Sequence, residues 1–218
     1  MTAPIFDYEK DPAAIYRRSF QIVRAETDLS RFDADEAEVA VRLVHACGMP
    51  EIAPDLVFSV GAVAAGRKAL ASGAPIMCDA AMVAHGVTPK VLPAGNEVIS
   101  LIRDSRLSDL AKAEGTTLSA IQVATLWQER LEGAVVSIGN APTALFRLME
   151  SILAGGPRPA VILGFPVGFV GAAESKQVLA ATDNLPPFLT LTGRRGGSAM
   201  AAAAVNALAI LAGKGAAR

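Results

Sequence analysis

The sequence predicts an α/β protein, a three-layer αβα arrangement around a mostly parallel sheet, with residues 1–218 forming a single domain. Three observations predict it. The second half alternates short apolar runs with glycine-containing turns and helix-length segments, the pattern of parallel strands joined by crossover helices. Three turns, Ile138-Gly139-Asn140-Ala141-Pro142-Thr143, Gly164 through Ser175, and Gly193-Arg194-Arg195-Gly196-Gly197-Ser198, each lie between a β-like run and a helix start. The chain's 218 residues and 52% apolar content suffice for one full core, and no repeat, low-complexity tract or linker divides them.

The elements follow in order. Asp11 before Pro12 reads as an N-cap with proline at the first helical position, and Ile15, Ile22 and Val23 continue the helical spacing. A second helix begins near Asp33 and stops at Gly48, a residue suited to the left-handed closing position. After a segment around Leu56 to Val60, a third helix runs to Ser72-Gly73. Pro75 to Cys78 is a short buried strand, with Asp79 placed to cap a brief helix ending at His85-Gly86. Glu97 to Ile102 is a strand candidate, followed by helical stretches over Ser105 to Glu114 and Leu118 to Arg130. Ala134 to Ile138, Ala160 to Leu163 and Phe188 to Thr192 are the strands of the regular second half. Ala199 to Ala212 is the most membrane-like segment, but it falls short of the ~20 apolar residues that span a bilayer and reads as a buried helix on the sheet.

Charge and composition narrow the function. With 20 basic and 21 acidic residues the chain shows no electrostatic footprint for nucleic acid, and 5% aromatic content supplies few stacking platforms. Cys47 and Cys78 lie far apart, outside any Cys-x-x-Cys spacing, which points to a reducing compartment and away from a disulfide framework or zinc site. The opening residues lack the basic start and apolar core of a signal peptide, so the expected location is the cytoplasm, with no membrane partner.

Strand-to-helix turns of an open sheet gather at one edge, so three glycine turns predict a crevice of backbone N–H groups and helix N-termini that suits a bulky, multiply charged anion. Glycines after strands also serve only to let a helix pack closely. Two histidines are present. Glu38, Arg42 and His45 recur at spacings of four and three on one helix face, opposite Ala37, Val41 and Val44. There an arginine can hold a carboxylate while the imidazole, with an ordinary pKa of about 6.5, transfers a proton; a solvated surface triplet is the plainer reading. His85 sits at a helix end, where an imidazole usually serves terminal carbonyls. No metal ligand set stands out, because His45 and Cys47 do not face each other on a helix. The chain lacks the Gly-x-Ser-x-Gly of serine hydrolases and the Walker phosphate loop, and Gly164, Gly168 and Gly171 have the wrong spacing for a dinucleotide fingerprint.

The segments Ile138 to Leu145, Gly168 to Lys176 and Gly193 to Ala199, together with Arg18-Ser19-Phe20, Arg42-Leu43-Val44-His45 and Met82-Val83-Ala84-His85-Gly86, resemble the signature segments of the precorrin-8X methylmutase family over nearly the whole chain. That resemblance implies an isomerase of cobalamin biosynthesis that moves a methyl group from C11 to C12 of precorrin-8X, giving hydrogenobyrinic acid. It implies no cofactor. His45 corresponds to the family's proton donor and acceptor, and Ser19 and Arg42 to positions that contact substrate. Thr88, Gly139, Asn140, Ala141, Gly168, Phe169, Val170, Arg195, Gly196, Gly197 and Ser198 are the remaining substrate-binding candidates. The resemblance also implies a homodimer, with the product handed to the next pathway enzyme. Several relatives in the family pattern carry a Thr-Arg-Ser-Ala segment where this chain reads Thr117-Leu118-Ser119-Ala120, so a forked donor is absent there and Lys90 or Arg130 is the candidate replacement. Alternatives from other classes are a non-catalytic tetrapyrrole carrier, a sugar-phosphate or nucleotide enzyme, and the cobalt-precorrin-8 isomerase of the anaerobic route.

Overall fold

Residues 6–216 are described in this computed structural model; residues 1–5, where the expected leaderless start begins, lie outside them. The strands are β1 (Leu56–Phe58), β2 (Ile76–Cys78), β3 (Val98–Ile99), β4 (Val135–Ile138), β5 (Val161–Gly164) and β6 (Phe188–Leu191). They form one sheet in the order β1-β6-β5-β4-β2-β3, parallel throughout except for the antiparallel β1 at one edge. The predicted mostly parallel sheet is therefore present.

The helices are α1 (Pro12–Glu26), α2 (Ala34–Cys47), α3 (Ala62–Ala71), α4 (Ala81–Gly86), α5 (Arg106–Glu114), α6 (Leu118–Ala124), α7 (Pro142–Leu153), α8 (Ala172–Ala181) and α9 (Ser198–Ala216). Alternation along the strands sorts them into two layers. Ile76, Cys78, Val135, Val161, Leu163, Leu189 and Leu191 face α2, α3, α4 and α9, whereas Met77, Val136, Ile138, Ile162 and Phe188 face α6, α7 and α8. The alanine-rich α9 is the central helix of its layer, burying Met200, Val205, Leu208 and the alanines between them. Each fully buried valine or leucine there contributes about 1.5–3 kcal/mol. Among the described residues no helix is long and apolar enough to cross a membrane.

Local chemistry sets the ends of the helices that matter here. The Asp11 carboxylate accepts from Ala13 N and Ala14 N, starting α1. Asp33 and Glu36 form a reciprocal capping box at the start of α2, and Gly48 closes it at φ 69°. α1 has no fully buried residue and rests chiefly on α2, with the half-buried Val23 packed against the core. Two expected elements are shorter. The helix over Leu118 to Arg130 ends at Ala124, where the Thr125 hydroxyl bonds back to Ile121 O at 2.7 Å and the fully buried Trp127 turns into the core. The Glu97 to Ile102 strand keeps only Val98–Ile99, because its single neighbour, β2, is itself only three residues long.

Candidate active site

α1 and α2 bring Ser19, Arg42 and His45 into one exposed cluster. Ser19 Oγ lies 3.0 Å from His45 Nδ1, and the imidazole stacks on Phe20 with ring centroids 4.6 Å apart and planes 25° apart. Arg42 places its guanidinium carbon 5.2 Å from the same Phe20 ring and donates to the Tyr16 hydroxyl at 3.3 Å. Tyr16 in turn contacts Phe20 at 4.5 Å. Glu38, the third residue of the predicted face, is taken by Arg24 at 2.6 Å, so it is an ion-pair partner rather than part of the cluster. Arg42 pairs with no carboxylate among the described residues, which leaves most of its donors to solvent or ligand. Tyr16 and Phe20 were not singled out from the sequence as site residues. Their signal was present, since 16, 19, 20 and 23 share a helix face.

The three glycine turns do converge at the C-terminal edge of the strands. A Cβ on Gly139 would stand 2.8 Å from Ser198 Cα, one on Gly196 would stand 2.4 Å from Phe165 O, and one on Gly171 would stand 3.2 Å from Pro142. Only glycine permits the first two approaches. Gly168 N donates to Arg194 O at 3.2 Å, and Gly197 N to Phe165 O at 2.8 Å, so the second and third turns are bonded to each other. Phe169 and Val170 project outward, 83% and 89% exposed, with the Arg194 guanidinium 5.4 Å from the Phe169 ring. The third turn is tied to the segment that follows α2 through Arg195, whose guanidinium pairs with Asp55 at 2.8 Å and reaches Glu51 at 4.0 Å in the 3-10 turn Pro50–Asp55. Cys47, two residues past His45, feels Arg195 and Glu51 with opposite signs while burial pushes its thiol up.

The structure corrects the readings of Asp79 and Arg130 and places the other predicted residues. Asp79 does not cap α4, whose N-cap Ala80 makes no side-chain bond. Its fully buried carboxylate crosses to the neighbouring strand end and accepts from Gly139 N at 2.9 Å, Asn140 N at 2.9 Å and Ala141 N at 2.7 Å. β2 and β4 are adjacent, so three donors at the head of α7 outcompete one at α4. The backbone donors predicted to cradle a ligand at this turn are therefore already satisfied, and only the exposed Asn140 side chain is left to face outward. Burial raises the Asp79 carboxyl, against the pull of those N–H groups. Arg195, a ligand-contact candidate, pairs with Asp55 in a half-exposed ion pair, and the exposed Arg194 beside it is not paired among the described residues. Thr88 N bonds Asn206 Oδ1 at 2.8 Å, which places it about 12 Å along α9 from Ser198. Arg130 pairs with Glu97 at the N-terminal edge of the sheet, opposite the turns, and does not stand in for an arginine at Leu118. His85 Nδ1 lies 2.7 Å from Ala81 O, the carbonyl of the first residue of α4 rather than one of its last.

The cluster is open to solvent rather than enclosed. Cavities of about 270, 420 and 380 Å³ lie elsewhere, the first between α5, α6 and α7 against Glu114, Thr143 and Arg147. Among the described residues no group of three or more His, Cys, Asp and Glu side chains is placed to hold a metal ion. Fold and site together define an open α/β protein in which the exposed His45 contacts serine and phenylalanine beside an arginine that has no carboxylate partner among the described residues.

The precorrin-8X methylmutase family matches residues 14–211. The chain is 59% identical over 206 residues to a precorrin-8X methylmutase of Sinorhizobium sp., covering 94% of this chain and 98% of that one. It is 58% identical over 205 residues to the Pseudomonas aeruginosa precorrin-8X methylmutase, with the same coverages of 94% and 98%. A cobalt-precorrin-8 methylmutase of Priestia megaterium is 36% identical, over 94% of this chain and 90% of that one. The solved precorrin-8X methylmutase of Thermus thermophilus superposes with a TM-score of 0.84 at 41% identity, covering 93% of this chain and 97% of that one. The chain belongs to the precorrin-8X methylmutase family, isomerases of cobalamin biosynthesis.

Proposed function

We propose that this protein, acting as one domain, isomerises metal-free precorrin-8X to hydrogenobyrinic acid by moving a methyl group from C11 to C12, with His45 as the proton donor and acceptor. The observation that carries the reading is the 3.0 Å contact between Ser19 Oγ and His45 Nδ1 in an exposed cluster. A serine hydroxyl both donates and accepts. With Nε2 exchanging the proton, Nδ1 stays protonated in both the imidazolium and the neutral ring, so the Ser19 hydroxyl accepts from Nδ1–H and orients His45 in either state while Nε2 faces the ligand. Stacking on Phe20 fixes the ring plane.

The step is an isomerisation. The C11–methyl bond breaks as the C12–methyl bond forms, the conjugated double bonds shift to compensate, and mass and oxidation state are unchanged. Protonating the macrocycle redistributes its π electrons toward the shifted isomer, and returning the proton to His45 closes the cycle. The remaining contribution is orientation of a large ligand. Arg42 supplies charge-assisted bonds to its peripheral carboxylates, and Phe169, Val170, Arg194 and the third turn flank it. The higher identity to relatives named precorrin-8X methylmutase, 58–59% against 36% for the Priestia cobalt-precorrin-8 enzyme, supports the metal-free substrate. A homodimer is supported by α1, which leaves Ile15, Tyr16 and Ile22 exposed. Hand-off of the product to the next pathway enzyme and a cytoplasmic location complete the reading.

The test is conversion of metal-free precorrin-8X and of its cobalt form by the purified protein, followed by absorbance with mass spectrometry. A spectral change at constant mass, faster with the metal-free substrate, is expected. Binding without conversion, or conversion of the cobalt form alone, contradicts the proposal.

A further inference from the structure

Lys176 lies in the middle of α8 with none of its surface exposed, and no carboxylate among the described residues pairs with it. Lysine is rarely buried this completely, because its ammonium loses hydration that only a partner can replace. A methionine fills similar space without that cost, and swapping a buried charge for an apolar group of similar volume is often neutral or stabilising. The contribution of the amine must therefore lie in what it holds.

It holds the third glycine turn. Nζ donates to Arg195 O at 2.5 Å. On either side of that carbonyl, Arg194 O accepts from Gly168 N at 3.2 Å and Gly197 N donates to Phe165 O at 2.8 Å. Three ties thus run from the β5–α8 segment to Arg194, Arg195 and Gly197. Only the central one comes from a side chain, and only it is charge-assisted. The Arg195 guanidinium is meanwhile fixed to Asp55, so one residue is pinned at its carbonyl by α8 and at its side chain by the segment after α2.

We propose that Lys176 is a positioning residue whose buried amine latches the Gly193–Ser198 turn to α8, setting where Arg194, Arg195 and the head of α9 stand toward the carboxylates of the ligand. This rests on the proposed function, in which the third turn flanks the ligand. The full-length protein, Lys176→Met and Lys176→Arg are compared in two ways. The first needs no ligand: trypsin cleavage after Arg194 and Arg195, mapped by mass. The second is KM and kcat for metal-free precorrin-8X.

Lys176→Met is expected to be cut at those two bonds about tenfold faster while other sites keep wild-type rates, as local opening requires. Its KM is expected to rise about tenfold with kcat little changed, the mark of lost ligand positioning. Lys176→Arg, which keeps a cationic donor, is expected between the two; if Lys176→Met does not fold, it carries both readouts. Unchanged cleavage at Arg194 and Arg195, equal acceleration at every tryptic site, or a fall in kcat at constant KM overturns the proposal. No turnover by the wild type overturns the functional reading instead, and the trypsin result still judges the latch.

Discussion

The histidine cluster and the strand-end turns are both built from predicted site residues, yet they use their polar groups in opposite ways. In the cluster, His45 is exposed, Arg42 has no carboxylate partner among the described residues, and α1 has no fully buried residue. At the turns, Asp79 takes the N–H groups of Gly139, Asn140 and Ala141, Asp55 takes Arg195, and Lys176 takes the Arg195 carbonyl. Groups left unpaired are the ones able to exchange a proton or grip a ligand. The turns are thus bonded chiefly within the fold, and the proposed function places the proton transfer in the cluster.

Substitutions that separate stability from turnover sharpen this contrast. Asp79→Ala strands three N–H donors and is expected to cost on the order of 3–5 kcal/mol, read as a lower urea midpoint, with the activity of the remaining folded protein nearly intact. Arg42→Leu removes charge-assisted contacts and is expected to raise KM about 10- to 100-fold with no loss of melting temperature. Ser19→Ala frees His45 to rotate, and kcat is expected to fall about 3- to 10-fold, the worth of one ordinary hydrogen bond.

The smallest effect concerns pH. Burial pulls Lys176 down from 10.5 to about 8, so between those values the unfolded chain holds a proton that the folded protein has released. Stability should accordingly rise as pH increases from about 8 toward 10.5, and Lys176→Met should lose that rise, measured as urea midpoints at pH 7.5 and 10.

Sequence reasoning reached what short-range chemistry dictates. The Asp33 cap and Gly48 stop of α2, the buried α9 and the three strand-to-helix turns all follow from local patterns. The Arg42–His45 face was also legible, because helical spacing alone creates it. What escaped depends on which distant segments become neighbours. Asp79 reads as a local cap until the sheet order sets β2 beside β4. Nothing local marks Lys176 as buried; its position follows from α8 docking against the third turn. Phe20 becomes the platform of the imidazole only once α1 lies on α2.

The central claim is that His45 performs the proton transfer while the rest of the cluster orients it. Single-turnover reaction of metal-free precorrin-8X with excess wild-type protein and excess His45→Ala, followed by absorbance with mass checked, tests it most directly. The account predicts that both proteins bind the substrate and melt alike, that the wild type converts it at constant mass, and that His45→Ala is slower by about 10²- to 10⁴-fold. Conversion by folded His45→Ala at the wild-type rate would contradict it.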